Sequence, residues 1–211
     1  GDSLTWTLSV DATNGTASIS GNTGILSYSP NANYNGSESL TVVLSDGNLS
    51  DSITINITIT PVNDVPTDIN ATGTLSVLEN QPVGTLISGY TATDADMNAT
   101  HVFSLYDQNG TTHNNLFTMD GNGSLRTGAI LDYESNTTHP IQVRVTDDQG
   151  ATFDKNFIVQ VLNLNESPII AQGDSPLSAT LLEDGVGYSI DLNGSDPDGD
   201  CLLYTSPSPR D

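Results

Sequence analysis

Cationic side chains are scarce in this sequence: 4 lysines and arginines stand against 26 aspartates and glutamates in 211 residues, a formal net charge of −22. A chain so negative is repelled by a phosphate backbone, which excludes nucleic acid as a partner. It is repelled equally by an anionic membrane surface. No apolar run approaches the roughly 20 residues a membrane helix needs, so direct membrane insertion of this segment is not expected. No basic start with an apolar core marks a leader, and no initiator methionine is present. The segment is therefore expected to be an internal piece of a longer protein. There is 1 cysteine, too few for a disulfide. Sustained helical spacing is missing throughout.

That lone cysteine opens the stretch 201–211, Cys-Leu-Leu-Tyr-Thr-Ser-Pro-Ser-Pro-Arg-Asp. This run resembles the translated end of a transposon-based sequencing adapter, as in a metagenomic fragment, and is set aside as a non-native tail. Removing it takes away Arg210 and Asp211 together, so the net charge stays at 3 − 25 = −22. The natural part then offers no thiolate for a metal or a nucleophile.

What is present is period two. In Ser52–Thr60, Ile53, Ile55, Ile57 and Ile59 alternate with Thr54, Asn56, Thr58 and Thr60, the pattern of a half-buried strand. Ile141, Val143, Val145 and Phe157, Val159, Val161 repeat it. Further strands are expected at 5–10, 16–20, 24–29, 40–45, 75–78, 84–88, 102–105, 115–119, 124–127 and 188–192. Turn pairs separate them: Asn14-Gly15, Asp46-Gly47, Asn109-Gly110, Asp120-Gly121 and Asp184-Gly185. Short strands with Gly, Asn and Asp turns predict an all-β chain of antiparallel sandwiches.

The sequence also repeats itself. Val62-Asn63-Asp64-Val65-Pro66 returns as Leu164-Asn165-Glu166-Ser167-Pro168; Leu78-Glu79-Asn80 returns as Leu182-Glu183-Asp184; Asp94-Ala95-Asp96 returns as Asp196-Pro197-Asp198. The spacing, about 100 residues, is that of one small sandwich. The expected division is the C-terminal part of repeat 1 at 1–63, a complete repeat 2 at 64–165, the start of repeat 3 at 166–200, and the tail at 201–211. Each repeat should contact chiefly its neighbours.

Over nearly its whole length repeat 2 resembles a cadherin domain. The resemblance rests on Leu78-Glu79-Asn80, Asp94-Ala95-Asp96, Leu116–Asp120 running on to Gly123–Thr127, Leu131-Asp132-Tyr133-Glu134, Val143–Asp147 with Gly150, and Asn163–Pro168, in the family's order. Repeat 1, with Tyr28–Gly36 and Ser45-Asp46-Gly47, is more similar to the cadherin-like tandem repeats of prokaryotic surface adhesins. The resemblance implies tandem Ig-like, Greek-key β-sandwiches, one complete and two partial, with Ca2+ held where consecutive repeats meet.

Ca2+ takes 6–8 oxygen ligands, more than any local segment here supplies. Loops gathered at the sandwich ends could supply them jointly. For the seam between repeats 2 and 3 the resemblance implies Glu79, Asp132, Glu134, Asn163, Asn165, Glu166, Asp196 and Asp198. For the seam between repeats 1 and 2 it implies Asn63, Asp64, Asp94, Asp96, Asn98 through its carbonyl, and Asp147. Two departures stand out. Asn163 and Pro61 occupy the places where the family's linker begins with Asp, and repeat 1 lacks the Leu-Asp-x-Glu element, where Asn33 and Asn35 are weaker substitutes. Fewer ions per seam follow, with affinity in the roughly 0.1–1 mM class of extracellular modules.

Other patterns carry less. Asp196-x-Asp198-x-Asp200 starts like a helical calcium loop, but its sixth position is Cys201. His101, His113 and His139 lack metal-ligand spacing and are expected as isolated surface or loop residues. No Gly-x-Ser-x-Gly elbow is present, so no enzyme is expected. Trp6 is expected in the core, and Arg126, Arg144 and Lys155 on exposed strand faces. Asn-x-Ser/Thr acceptors recur, Asn165 among them. The composite expectation is a calcium-binding, extracellular repeat segment of a cell-surface adhesin, its parent wall- or membrane-anchored or secreted. Its partners would be neighbouring repeats and a cell-surface protein or glycan. The alternative is a passive spacer in a secreted carbohydrate-binding or polysaccharide-degrading protein.

Overall fold

The computed structural model of the chain describes residues 3–171 and, beyond them, 173, 177–178, 180, 183, 185, 187, 189–190 and 193–199. The strand expected at 188–192, the Leu182-Glu183-Asp184 element, the Asp184-Gly185 turn and the tail at 201–211 fall wholly or largely outside the described residues.

Five strands form the first part of the chain: β1 (Thr5–Val10), β2 (Gly15–Ile19), β3 (Leu26–Pro30), β4 (Gly36–Ser45) and β5 (Ser50–Ile59). They make a three-stranded sheet, β1-β4-β5, and a hairpin, β2-β3. The β4–β5 pairing runs unbroken from Gly36↔Ile59 to Ser45↔Ser50. That register puts Leu40 beside Ile55 and Val42 beside Ile53, and Leu40 and Val42 are buried. The alternation places Trp6 half-buried, over a turn where Gly24 has φ +70°. A Cβ there would lie 2.8 Å from the indole, so glycine is required twice over.

Eight strands follow: β6 (Asp68–Ala71), β7 (Ser76–Leu78), β8 (Leu86–Thr93), β9 (His101–Leu105), β10 (Phe117–Met119), β11 (Ser124–Thr127), β12 (Thr138–Asp147) and β13 (Thr152–Leu162). One sheet has the order β10-β11-β8-β6 and the other β7-β13-β12-β9. Their facing sides bury Ile69, Tyr90, Phe103, Phe117, Leu125, Ile141, Val143 and Val159, a β-sandwich core. β6 had no counterpart among the expected strands, because four residues, Asp-Ile-Asn-Ala, give too short a run to show a period. A two-stranded ribbon, β14 (Ile169–Ile170) with β15 (Gly194–Ser195), closes the described chain. Among the described residues the one departure from strand and loop is a single 3-10 turn, Asn114–Leu116.

Along β12 every second residue points inward: His139, Ile141, Val143, Val145 and Asp147 are all buried. The apolar middle holds the sheets together, and the polar ends reach opposite ends of the sandwich. In β4 the matching row is Glu38, Leu40 and Val42, buried, then Leu44, half-buried.

By its contacts the chain divides into two compact units. The first comprises Gly1–Asp68, Ala92–His101 and Thr146–Phe153; the second comprises Ile69–Thr91, Val102–Val145 and Asp154–Asp211. Each of the two acidic clusters described next lies within one unit.

Candidate metal centre

In the first unit the linker threads past three aspartates. The Asp64 N–H donates to Asp96 Oδ2 at 2.8 Å, and the Asp96 N–H donates to Asp94 Oδ1 at 2.9 Å. Asn63 Nδ2 donates to Asp147 Oδ2 at 2.9 Å, while Asp147 Oδ1 accepts the Gln149 and Ala151 N–H groups. Asp147 is held below the usual carboxylate range, first by Asn63 and then by those backbone donors, against the cost of its burial. Burial works to raise Asp94, but the Asp96 N–H and the His101 ring, 2.9 Å from its Oδ2, outweigh it and lower its carboxyl. Asn98 sits at φ +66°, the left-handed region that asparagine tolerates. Asp64 and Asp96 line a cleft of about 240 Å3 together with Asn33, Tyr34 and Asn35.

The second unit repeats the linker geometry. The Glu166 N–H donates to Asp198 Oδ2 at 2.6 Å, and the Asp198 N–H donates to Asp196 Oδ1 at 3.1 Å. These are the contacts of Asp64, Asp96 and Asp94, each displaced by 102 residues. To them the second unit adds more carboxylate. Glu79 is fully buried, its two oxygens accepting the Tyr133 N–H at 2.9 Å and the Leu164 N–H at 2.8 Å. Glu79, Glu134 and Glu166 each bring one oxygen within 4.8 Å of the others. Glu134 is pushed above the ordinary glutamate value by lost hydration and by the charge of Glu79.

The remaining expected residues separate into helpers and bystanders. Both oxygens of Asp132 are turned onto its own loop, accepting from the Glu134 and Ser135 N–H groups and the Ser135 hydroxyl. The Ser135 contact foremost lowers its carboxyl. It braces the Glu134 turn and does not join the three-glutamate group. Asn165 Nδ2 is bound to the Glu166 carbonyl, and Asn163 is exposed.

Residues that spacing did not single out also take part. Asn80 Nδ2 donates to Glu166 Oε1 at 2.7 Å, and its place directly after Glu79 was the available signal. The histidines are not isolated: His101 pairs with Asp94, and His113 Nδ1 lies 2.9 Å from His139 Nδ1. His101 and Asp94 face each other across the β8–β9 loop, and His113 and His139 come from elements 26 residues apart, pairings that metal-ligand spacing does not register. Arg144 and Lys155 also differ from expectation. Arg144 makes two 2.7 Å bonds to Asp154 and lies 3.4 Å over the Tyr106 ring, and Lys155 Nζ donates to the Ile69 carbonyl.

The chemistry of this donor set can be tested on one orphan. Asp198 Oδ1 is buried with no hydrogen-bond partner, an arrangement that costs free energy unless a cation or a water completes it. Every candidate ligand is an oxygen, which selects hard cations over soft or imidazole-seeking ones. Two oxygens on one Ca2+ at about 2.4 Å stand at most about 4.8 Å apart, the limit the three glutamates meet. The residues fit Ca2+.

Residues 74–162 match the sequence model of the cadherin domain, and residues 1–58 match that of a bacterial Ig domain. Human Cadherin-12 is 31% identical over 127 residues, 59% of this chain and 16% of that protein. The Protocadherin-like wing polarity protein stan of Drosophila melanogaster is 34% identical over 169 residues, 75% of this chain and 5% of that protein. The chain thus spans less than a fifth of either relative. Among solved structures, extracellular cadherin domains 1–5 of Protocadherin Gamma B2 superpose with a TM-score of 0.63 at 19% identity, covering 92% of this chain and 39% of that one. Human Protocadherin-24 EC1-2 gives 0.60 at 19%, covering 77% and 83%. At these identities the superpositions speak to the fold. Sequence and fold agree that this chain carries a cadherin-type β-sandwich repeat, preceded by a stretch of bacterial Ig type.

Proposed function

We propose that this chain is a calcium-binding, extracellular repeat segment of a cell-surface adhesin, divided at 63/64 and 165/166, with Ca2+ stiffening the array at its linkers. The observation that carries the reading is the same linker-to-aspartate geometry at Asp64 and Glu166, backed in the second unit by three glutamate oxygens within 4.8 Å. Glu79, Glu134, Glu166, Asp196 and Asp198 would hold one ion set, with Asn163 and Asn165 at its margin and Asp132 bracing the Glu134 turn. Asn63, Asp64, Asp94, Asp96, Asn98 and Asp147 would hold the other. Bound Ca2+ supplies the positive charge that lets clustered carboxylates approach. The chain's own part is to fix their directions through backbone N–H donors. An ion that binds the ordered linker and not the loose one stabilises the ordered form by mass action. The binding of a cell-surface protein or glycan, and the anchoring of the parent protein to membrane or wall, belong to the same proposal.

Isothermal titration of residues 1–200 with CaCl2, beside small-angle scattering in calcium and in chelator, tests it. The expected result is saturable heat at sub-millimolar to millimolar Ca2+, a higher melting temperature and a longer, stiffer particle. No heat, with identical dimensions and melting in both conditions, overturns it.

A further inference from the structure

Each sandwich carries one buried ionisable residue at the inward position where its long central strand begins. In β4 it is Glu38, 7% exposed, and in β12 it is His139, 4% exposed. Both do the same job, which is to clamp the loop that enters the preceding hairpin, β2–β3 or β10–β11. Glu38 Oε2 accepts the N–H groups of Thr13 and Asn14 at 3.1 and 2.7 Å, immediately before β2. His139 Nδ1 meets His113 Nδ1 at 2.9 Å, at the start of the 3-10 turn that leads into β10.

The His113 turn is otherwise held by polar contacts to the same strand. The His113 N–H donates to the Pro140 carbonyl at 2.8 Å. Asn114 exchanges bonds with Gln142, Nδ2 to its carbonyl at 3.3 Å and Oδ1 from its N–H at 3.1 Å. Phe117 lies edge-on to His139, ring centroids 5.9 Å apart. His139 Nε2 is buried and has no partner.

A short contact between two imidazole Nδ1 atoms needs one nitrogen to donate and the other to accept. The pair survives with no extra proton or with one. With two, both nitrogens are donors, and two positive rings face each other, one of them, His139, buried and the other half-buried. The groups acting on His139 are His113 from the turn and the Asn136 backbone from the segment before β12; β10 contributes the uncharged Phe117. No carboxylate is among them. Asp107, in the loop leading to His113, is saturated by its own loop, accepting from Gly110 and Thr112 among others.

We propose that the His113–His139 pair is an acid-sensitive latch that loosens the loop before β10 under mildly acidic conditions, at which the Glu38 clamp before β2 stays shut. The two repeats thereby acquire different acid thresholds from one shared device. Supporting this, burial and the charge of His113 lower the His139 pKa, so the fold favours its neutral form. Stability linked to it is present above about pH 6.5 and is lost as pH falls below that. Glu38 runs opposite to its own burial: the Asn14, Ser39 and Thr13 N–H groups hold its carboxyl below the usual range, so its clamp weakens only under stronger acid.

The test is amide hydrogen exchange by NMR at pH 7 and pH 5, corrected for intrinsic rates, on the full chain in saturating CaCl2. Expected is a loss of protection of at least about tenfold at His113 and Leu116, with Thr13 and Asn14 unchanged. In H113Q the loss should vanish, and the His139 imidazole midpoint should rise. Equal protection at both pH values in the wild-type chain overturns the latch, as does an H113Q chain that keeps the same loss. Because calcium is saturating and neither histidine belongs to the carboxylate sets, this outcome is separable from that of the calcium titration.

Discussion

The two acidic clusters share a backbone and differ in what is hung on it. In both, a linker N–H bonds the second aspartate of an Asp-x-Asp pair, at 2.8 Å in the first unit and 2.6 Å in the second. Beyond that core the first unit offers one further carboxylate, Asp147, with the amides of Asn33 and Asn35 along a cleft. The second offers Glu79 and Glu134 beside Glu166. Amide oxygens are neutral and carboxylates are charged, so one scaffold yields two electrostatic depths. Ligand charge count is a main control of Ca2+ affinity, and the second cluster should bind first.

The comparison breaks most severely at Glu79. Glu79→Ala strips the acceptor from two backbone donors, Tyr133 and Leu164. It should destabilise the second unit by about 3 kcal/mol, the order expected when buried donors lose their partner. Urea unfolding in chelator reads this loss. A chain as stable as wild type would show that Glu79 is not the organiser of the cluster.

Glu134→Gln acts on affinity and not on the fold, since it removes one charge and keeps the shape. Calcium titration should show the tighter phase weakened by about tenfold and the weaker phase untouched, as charge count requires. If both phases move, the clusters are coupled and the contrast drawn above fails.

Acid separates the clusters without mutation. Glu134 lies above its ordinary value of 4.5, so its charged form is disfavoured in the fold. Without calcium, lowering the pH through its folded value should relieve repulsion and stabilise the second unit, with no further gain once the pH is below the ordinary value. Asp94 and Asp147 are held below 3.8; their contribution is present above the ordinary aspartate value and is lost as pH falls through the lower folded values. Melting temperature followed from pH 7 down to pH 3 in chelator measures the difference. A uniform fall in both units, once the histidine latch is removed with H113Q, would count against it.

The smallest effect belongs to Asn33→Ala. This exposed, neutral ligand candidate should change the weaker calcium phase by no more than about twofold, because affinity follows ligand charge. A tenfold loss would give the first cluster a strong ligand that its charge does not suggest.

Much of this was readable in advance for a local reason. Alternation marked β5, β12 and β13, and Asp-Gly marked the turn between β4 and β5, where Asp46 accepts from Asn48 and Leu49. β6 escaped because four residues hold too little pattern. Asp132 was expected beside Glu134 but spends its oxygens on Ser135, since a short side chain in a tight turn satisfies its own backbone first. The histidine pair was invisible because its members are 26 residues apart on different elements.

By itself, then, the sequence determined the all-β class, the 102-residue recurrence and the oxygen-only chemistry, because periodicity, spacing and composition are properties of the chain. Which carboxylates converge, which turn inward on their own loops, and which histidine loses its water were decided by tertiary structure. Distance and dielectric are set only when strands remote in sequence are packed together.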